Sequence, residues 1–115
     1  MTLRPAIFGY ATVDADLVEI NPRAADLQVE AWRQEFTHFA VLRGYALAGV
    51  FVDASGGAEA FYTLIERIHS DKVALVVVPD PTHLDHLACL VGADLRAASR
   101  YLRARILVLP ATAGR

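Results

Sequence analysis

Four carboxylates stand at or just beyond the ends of apolar segments: Asp14, Asp16, Asp53 and Asp80. Gathered at one edge of a sheet, such acids could hold a divalent cation, as they do in phosphoacceptor receiver domains. The receiver layout does not fit, because Asp14 and Asp80 are too far apart in sequence and no lysine follows a fifth strand. On these residues alone, solvated loop and cap carboxylates are the simpler reading. His83, Asp85 and His86 form a second group. His83 and His86 have the spacing of one helix face and could offer two zinc ligands. Two ligands make no site, and polar residues in a first helical turn usually serve the helix start. Ser55-Gly56-Gly57 could make an anion nest from backbone N–H groups. No Gly-Lys-Ser/Thr follows it, so a tight turn with Ser55 as a cap is preferred. Arg96, Arg100 and Arg103 fall at helical spacing beside Arg105, a stripe that could meet phosphate or an acidic partner, or simply face water.

The elements that must position these residues can be read from periodicity. Ala6–Asp14 is a short apolar strand running into an acidic loop, with Thr12–Ile20 rich in Asp14, Asp16 and Glu19. Val73–Asp80 is a nearly unbroken apolar strand that also ends in an acid. Strands this apolar leave no face for water and belong inside a parallel sheet covered by helices on both sides. In such sheets chemistry lies beyond the carboxyl ends of the strands, so Thr12–Asp16 and Asp80–His86 are expected to face each other there. Tyr45–Val52 and Arg105–Leu109 read as two further strands. Asn21-Pro22 reads as the N-cap and first position of a helix running to about Arg43, with Gly44 just past its end. Its approximate apolar stripe is Leu27, Ala31, Phe36, Phe39 and Ala40. Ala58–His69 is a second helix with Phe61, Leu64, Ile65 and Ile68 on one face. A third helix is predicted from Thr82, with a capping box to Asp85, through Leu84, Leu87, Val91, Leu95 and Ala98 to Leu102, with Gly92 marking a bend or close packing. The alternation predicts one α/β domain over residues 1–115: three layers, a mainly parallel four-stranded sheet and right-handed crossovers. Ala111–Arg115 reads as a loose tail.

Composition narrows the classes of function. With 55% hydrophobic and 21% charged residues in a 115-residue chain, the sequence specifies a globular core. A net charge of −2 gives no bulk attraction to nucleic acid or an anionic membrane. The single cysteine, Cys89, excludes an internal disulfide, reads as an inert core thiol and fits a reducing, cytoplasmic setting. No signal peptide and no membrane-length apolar run are visible. No motif implies a cofactor.

The order of these segments resembles the catalytic domain of the serine recombinases, the resolvase/invertase family. That family opens on a strand of the form Gly-Tyr-Ala-Arg-Val-Ser, where this sequence has Gly9-Tyr10-Ala11-Thr12-Val13-Asp14. A long helix and a Gly follow, then a strand like Phe51-Val52-Asp53, a Ser-Gly loop at Ser55-Gly56, and a Val-rich strand at Val76-Val77-Val78. The family's Asp-Arg-Leu-Ser-Arg motif can only be met by Thr82-His83-Leu84-Asp85-His86. The resemblance spans Ala6 to Leu109 and implies strand order 2-1-3-4. It also implies a serine that attacks a DNA phosphodiester and arginines that hold the phosphate. Here Asp14 takes the serine position, Thr12, His83 and His86 take arginine positions, and Thr82 takes that of the motif Asp. Ala58 aligns with the arginine after the Ser-Gly loop, and Trp32 with a glutamine of the first helix. Neither His nor Ala can copy bidentate pairing of a guanidinium with phosphate, and a carboxylate would repel it. The family's long dimerising helix and DNA-binding module would follow Leu109, and on this sequence neither is expected.

The resulting expectation is a catalytically degenerate resolvase-like domain that serves as a binding or regulatory module. Homo-oligomerisation, a protein partner and DNA are the partners considered, and a membrane is not. The ligand-binding candidates are Asp14, Asp16, Asp53, Ser55, Asp80, His83 and His86. The alternative is a working enzyme, either a recombinase fragment or a metal-dependent hydrolase at the strand ends. Trp32, Phe36, Phe39, Tyr62 and Tyr101 are more large rings than so small a core can centre, so some are expected to surface as a helix-borne dimer contact.

Overall fold

The computed structural model of the chain describes residues 4–84 and 94–110. The described residues form β1 (Ala6–Val13), α1 (Ala15–Ile20), α2 (Pro22–Arg43), β2 (Ala46–Ala54), α3 (Glu59–Asp71), β3 (Leu75–Val78), a 3-10 turn (Pro81–Leu84), α4 (Leu95–Leu102) and β4 (Arg105–Val108). The four strands make one parallel sheet in the order β2-β1-β3-β4. This is the predicted topology, with the most apolar strands, β1 and β3, at its centre.

β1 shows why the sheet needs two covering layers. Its side chains alternate between faces. Ile7 and Ala11 join Phe36, Phe39 and Ala40 of α2 and Val77 in one core cluster. Phe8 and Tyr10 join Phe61, Leu64 and Ile68 of α3 and Ala98 and Leu102 of α4 in the other. Gly9 lies on the α2 side, where a Cβ would come within 2.5 Å of the Phe36 ring. The absent side chain is what lets α2 settle onto β1.

Local signals act mostly as predicted. The Asn21 side chain accepts from Ala24 N–H at 3.1 Å, Pro22 opens α2, and Gly44 closes it at φ 79°. Three expectations are corrected. Thr12–Ile20 is not all loop. Asp14 accepts from Asp16 N–H at 2.8 Å and Ser55 Oγ from Ala15 N–H at 2.8 Å, which together start α1. The stripe of α2 does not run its whole length, since Leu27 and Ala31 face solvent. The residues that α2 buries against β1 and β3, Phe36, Phe39 and Ala40, all lie in its second half. The third helix is not continuous from Thr82. Asp94 is extended and caps α4 through Ala97 N–H at 2.8 Å, so a separate helix begins there. Leu84, Ala98 and Leu102 are buried as expected, whereas Asp85, His86, Leu87, Cys89, Val91, Gly92 and the tail Ala111–Arg115 lie outside the described residues.

Candidate functional site at the strand ends

The carboxyl ends of β1, β2 and β3 bring two groups of polar residues together. The first is held between β1 and β2. Their register sets Thr12 beside Asp53. Asp53, only 5% exposed, accepts from the Tyr10 hydroxyl at 2.7 Å, from Ala60 N–H at 2.7 Å and from Phe61 N–H at 3.0 Å. A carboxylate buried among three donors, two of them at the positive end of a helix, is well satisfied. Burial first, and then the hydrogen bond to Asp53, pushes the Tyr10 hydroxyl far above the usual phenol range, so it stays a donor. Ala58 stands at the N-cap position of α3 and makes no side-chain cap bond; Asp53 does the capping from within β2.

The loop after β2 is bound to the loop after β1. Ser55 N–H donates to Val13 O at 2.7 Å, and Ser55 Oγ takes the Ala15 N–H. The Ser55 side chain thus caps α1, not the helix that follows it in sequence. Gly57 N–H closes the turn onto Ala54 O at 2.9 Å, with Gly56 at φ 89°. Asp14 and Asp16 are exposed, and the Asp14 carboxylate is engaged at the start of α1.

The second group joins β1 to the 3-10 turn after β3. Thr12 N–H donates to His83 Nδ1 at 2.9 Å, and Thr12 Oγ1 lies 3.1 Å from the same nitrogen. A backbone N–H can only donate, so Nδ1 accepts and the neutral ring carries its hydrogen on Nε2. Nε2 lies 3.8 Å from Asp80 Oδ2. Asp80 also accepts from Thr82 N–H at 2.8 Å and from the Thr82 hydroxyl. These Thr82 bonds hold the Asp80 carboxyl below its usual range. The Trp32 ring meets His83 edge to face at 5.2 Å, and its Nε1–H is buried with no hydrogen-bond partner among the described residues.

Facing of Thr12–Asp16 and Asp80–His86 is therefore met in the Thr12–His83 contact; His86 lies outside the described residues. The four acids do not converge. Asp53 is buried in its own cage, and Asp14, Asp16 and Asp80 are exposed. Among the described residues no group of three or more His, Cys, Asp and Glu side chains is placed to hold a metal. The cap at this turn is Asp80 acting on Thr82, two residues earlier than the predicted capping box. Arg96, Arg100, Arg103 and Arg105 are all exposed. Sequence reasoning missed the Tyr10–Asp53 bond, because nothing local links residues 43 apart; the one available hint was an acid placed shortly before a helix start.

No protein-family model and no curated protein matches the chain. Among solved structures, it is similar to the crystal structure of a resolvase family site-specific recombinase from Streptococcus pneumoniae, with 19% sequence identity and a TM-score of 0.68. The match covers 92% of this chain and 72% of that one, and it establishes a resolvase-like fold.

Proposed function

We propose that this chain is a non-cleaving domain of the resolvase fold that works as a homo-oligomeric binding or regulatory module. The observation that carries the reading is the occupation of the strand ends by structural bonds. The residue at the family's nucleophile position, Asp14, spends its carboxylate on the start of α1. Thr12, at an arginine position, is tied to His83, itself at another. No phosphate-clamping guanidinium stands at Thr12, Ala58 or His83, and a carboxylate in place of the serine opposes a phosphodiester. A fold alone does not carry a function. The proposal rests on these substitutions together with the bonds that now fill their places.

Incubation with supercoiled plasmid tests it. The expected outcome is no strand cleavage and no covalent protein–DNA adduct, for the wild type and for Asp14→Ser alike. A hydroxyl restored at position 14 still lacks the electrostatic stabilisation the transfer needs. A phosphoester to any residue of the wild-type chain overturns the reading.

A further inference from the structure

β2 is an edge strand, and it is built unlike a protected one. Its outer side carries no strand among the described residues. Natural edges are commonly blunted by lysine, proline or inward-pointing charge. Ala46–Ala54 reads Ala-Leu-Ala-Gly-Val-Phe-Val-Asp-Ala, with no lysine or proline; its single charge, Asp53, points inward but is fully bonded to Tyr10 and α3, so a further strand at the edge would not strand it. One protective device is present. The register shift opposite Ile7/Phe8 bulges the strand at Ala48, which leaves Gly49 onward as regular edge.

The backbone direction of that stretch is fixed. Ser55 N–H points at β1, to Val13 O. In a parallel ladder alternate residues face alternate neighbours, so Asp53 and Phe51 also bond to β1. Val50 and Val52 then present N–H and C=O outward. Val52 belongs to neither core cluster, whereas Phe51 packs edge to face on Phe8 at 5.3 Å.

We infer that this edge pairs with the β2 edge of a second copy, antiparallel about a two-fold axis at Phe51, to give a continuous eight-stranded sheet. Val50 of each chain would exchange both backbone bonds with Val52 of its partner. Charge decides the direction. All strands run the same way, so the sheet has an amino end and a carboxyl end, and at the amino end the acid Asp71 is paired with Arg67. Beside β2, exposed Arg4 and Arg43 lie at the amino end, and exposed Asp14, Asp16 and Glu59 lie at the carboxyl end. Antiparallel pairing sets these arginines of each copy against these acids of the other, while parallel pairing sets like beside like. The exposed rings, Tyr62 and Tyr101, already have a place. Both contact Phe61, at 6.1 and 6.4 Å between centroids, and partly roof the α3 side of the core.

This inference rests on the self-association within the proposed function and is independent of whether DNA is cut. Sedimentation of the whole chain at micromolar concentration is expected to give a dimer. In that dimer the Val50 and Val52 amides exchange hydrogen at least about tenfold more slowly than after dilution to monomer. Val52→Pro removes an outward donor that the monomer does not use, and Val52→Lys adds an edge charge. Both are expected to sediment as monomers with unchanged circular dichroism, so a fold defect in one leaves the other to decide. A monomeric wild type overturns both self-association and the edge. A dimer that survives both Val52 variants, or that is lost with Tyr62→Ala or Tyr101→Ala, overturns the edge alone.

Discussion

Asp53 reads as a ligand-binding candidate in the sequence and is tied into structural bonds in the fold. Its oxygens are committed to Tyr10 and to two N–H groups of α3. Asp53→Ala would strand all three donors, and unsatisfied buried groups cost about 1–3 kcal/mol each. Tyr10→Phe removes a single bond to a charged acceptor, worth about 1.5–3 kcal/mol. Urea denaturation is therefore expected to rank Asp53→Ala as clearly more damaging than Tyr10→Phe; equal losses would mean that the cap bonds to α3 contribute little. Asp80 gives a pH-dependent counterpart. Its carboxyl is lowered first by the Thr82 hydroxyl, so the ionised form is favoured in the folded state. That contribution is present above the unfolded carboxyl range, near pH 4, and is lost as pH falls through the lower folded value. Thr82→Val is expected to move the Asp80 titration upward toward the ordinary range, as read by carboxyl NMR. The side chain is 52% exposed, so the accompanying stability change is small.

At the scale of elements, what was legible depended on whether the deciding interaction was local. Asn21, Pro22 and Gly44 set the ends of α2 through bonds within a few residues, and the sequence displayed all three. Asn21 also ends α1, by donating its N–H to Leu17 O, but α1 itself was hidden because one of its two starting bonds comes from Ser55, 40 residues away. The separate start of α4 was hidden differently. Its apolar positions continue the period of the preceding segment, and periodicity cannot see Asp94 turn extended. The α2–β1 contact is also long-range, and it makes a sharp test. Gly9→Ala forces a methyl against the ring of fully buried Phe36. Thermal or urea unfolding is expected to show a loss of about 1–3 kcal/mol, the usual cost of overpacking. Phe36→Leu in the same chain is expected to recover part of it; additive losses would place the strain elsewhere.

For the whole molecule, the sheet order was readable because two rules agree. Unbroken apolar strands must be central, and helices between parallel strands must cover both faces. The site was less readable. The segments after β1 and β3 face each other as expected, here through Thr12 and His83, yet which acids converge depends on side-chain bonds that strand patterns do not encode. Asp14, Asp16, Asp53 and Asp80 share one end of the sheet and are drawn into separate tasks there. None of the helices among the described residues is long and apolar enough to cross a membrane.

The position of β1 has a consequence for how the chain acquires its structure. The first strand in sequence is the second in space, and its neighbours are β2 and β3. Its side-chain and backbone partners lie far along the chain: Tyr10 waits for Asp53, 43 residues on, and Thr12 for His83, 71 residues on. During synthesis the amino-terminal strand is therefore made long before either flank exists, with Ile7, Phe8 and Tyr10 bare of the cover they later receive. Closing such large loops comes before the contacts that reward it, a cost that chains built on local contacts do not carry. The centre of the sheet is thus made before the strands and helices that cover it.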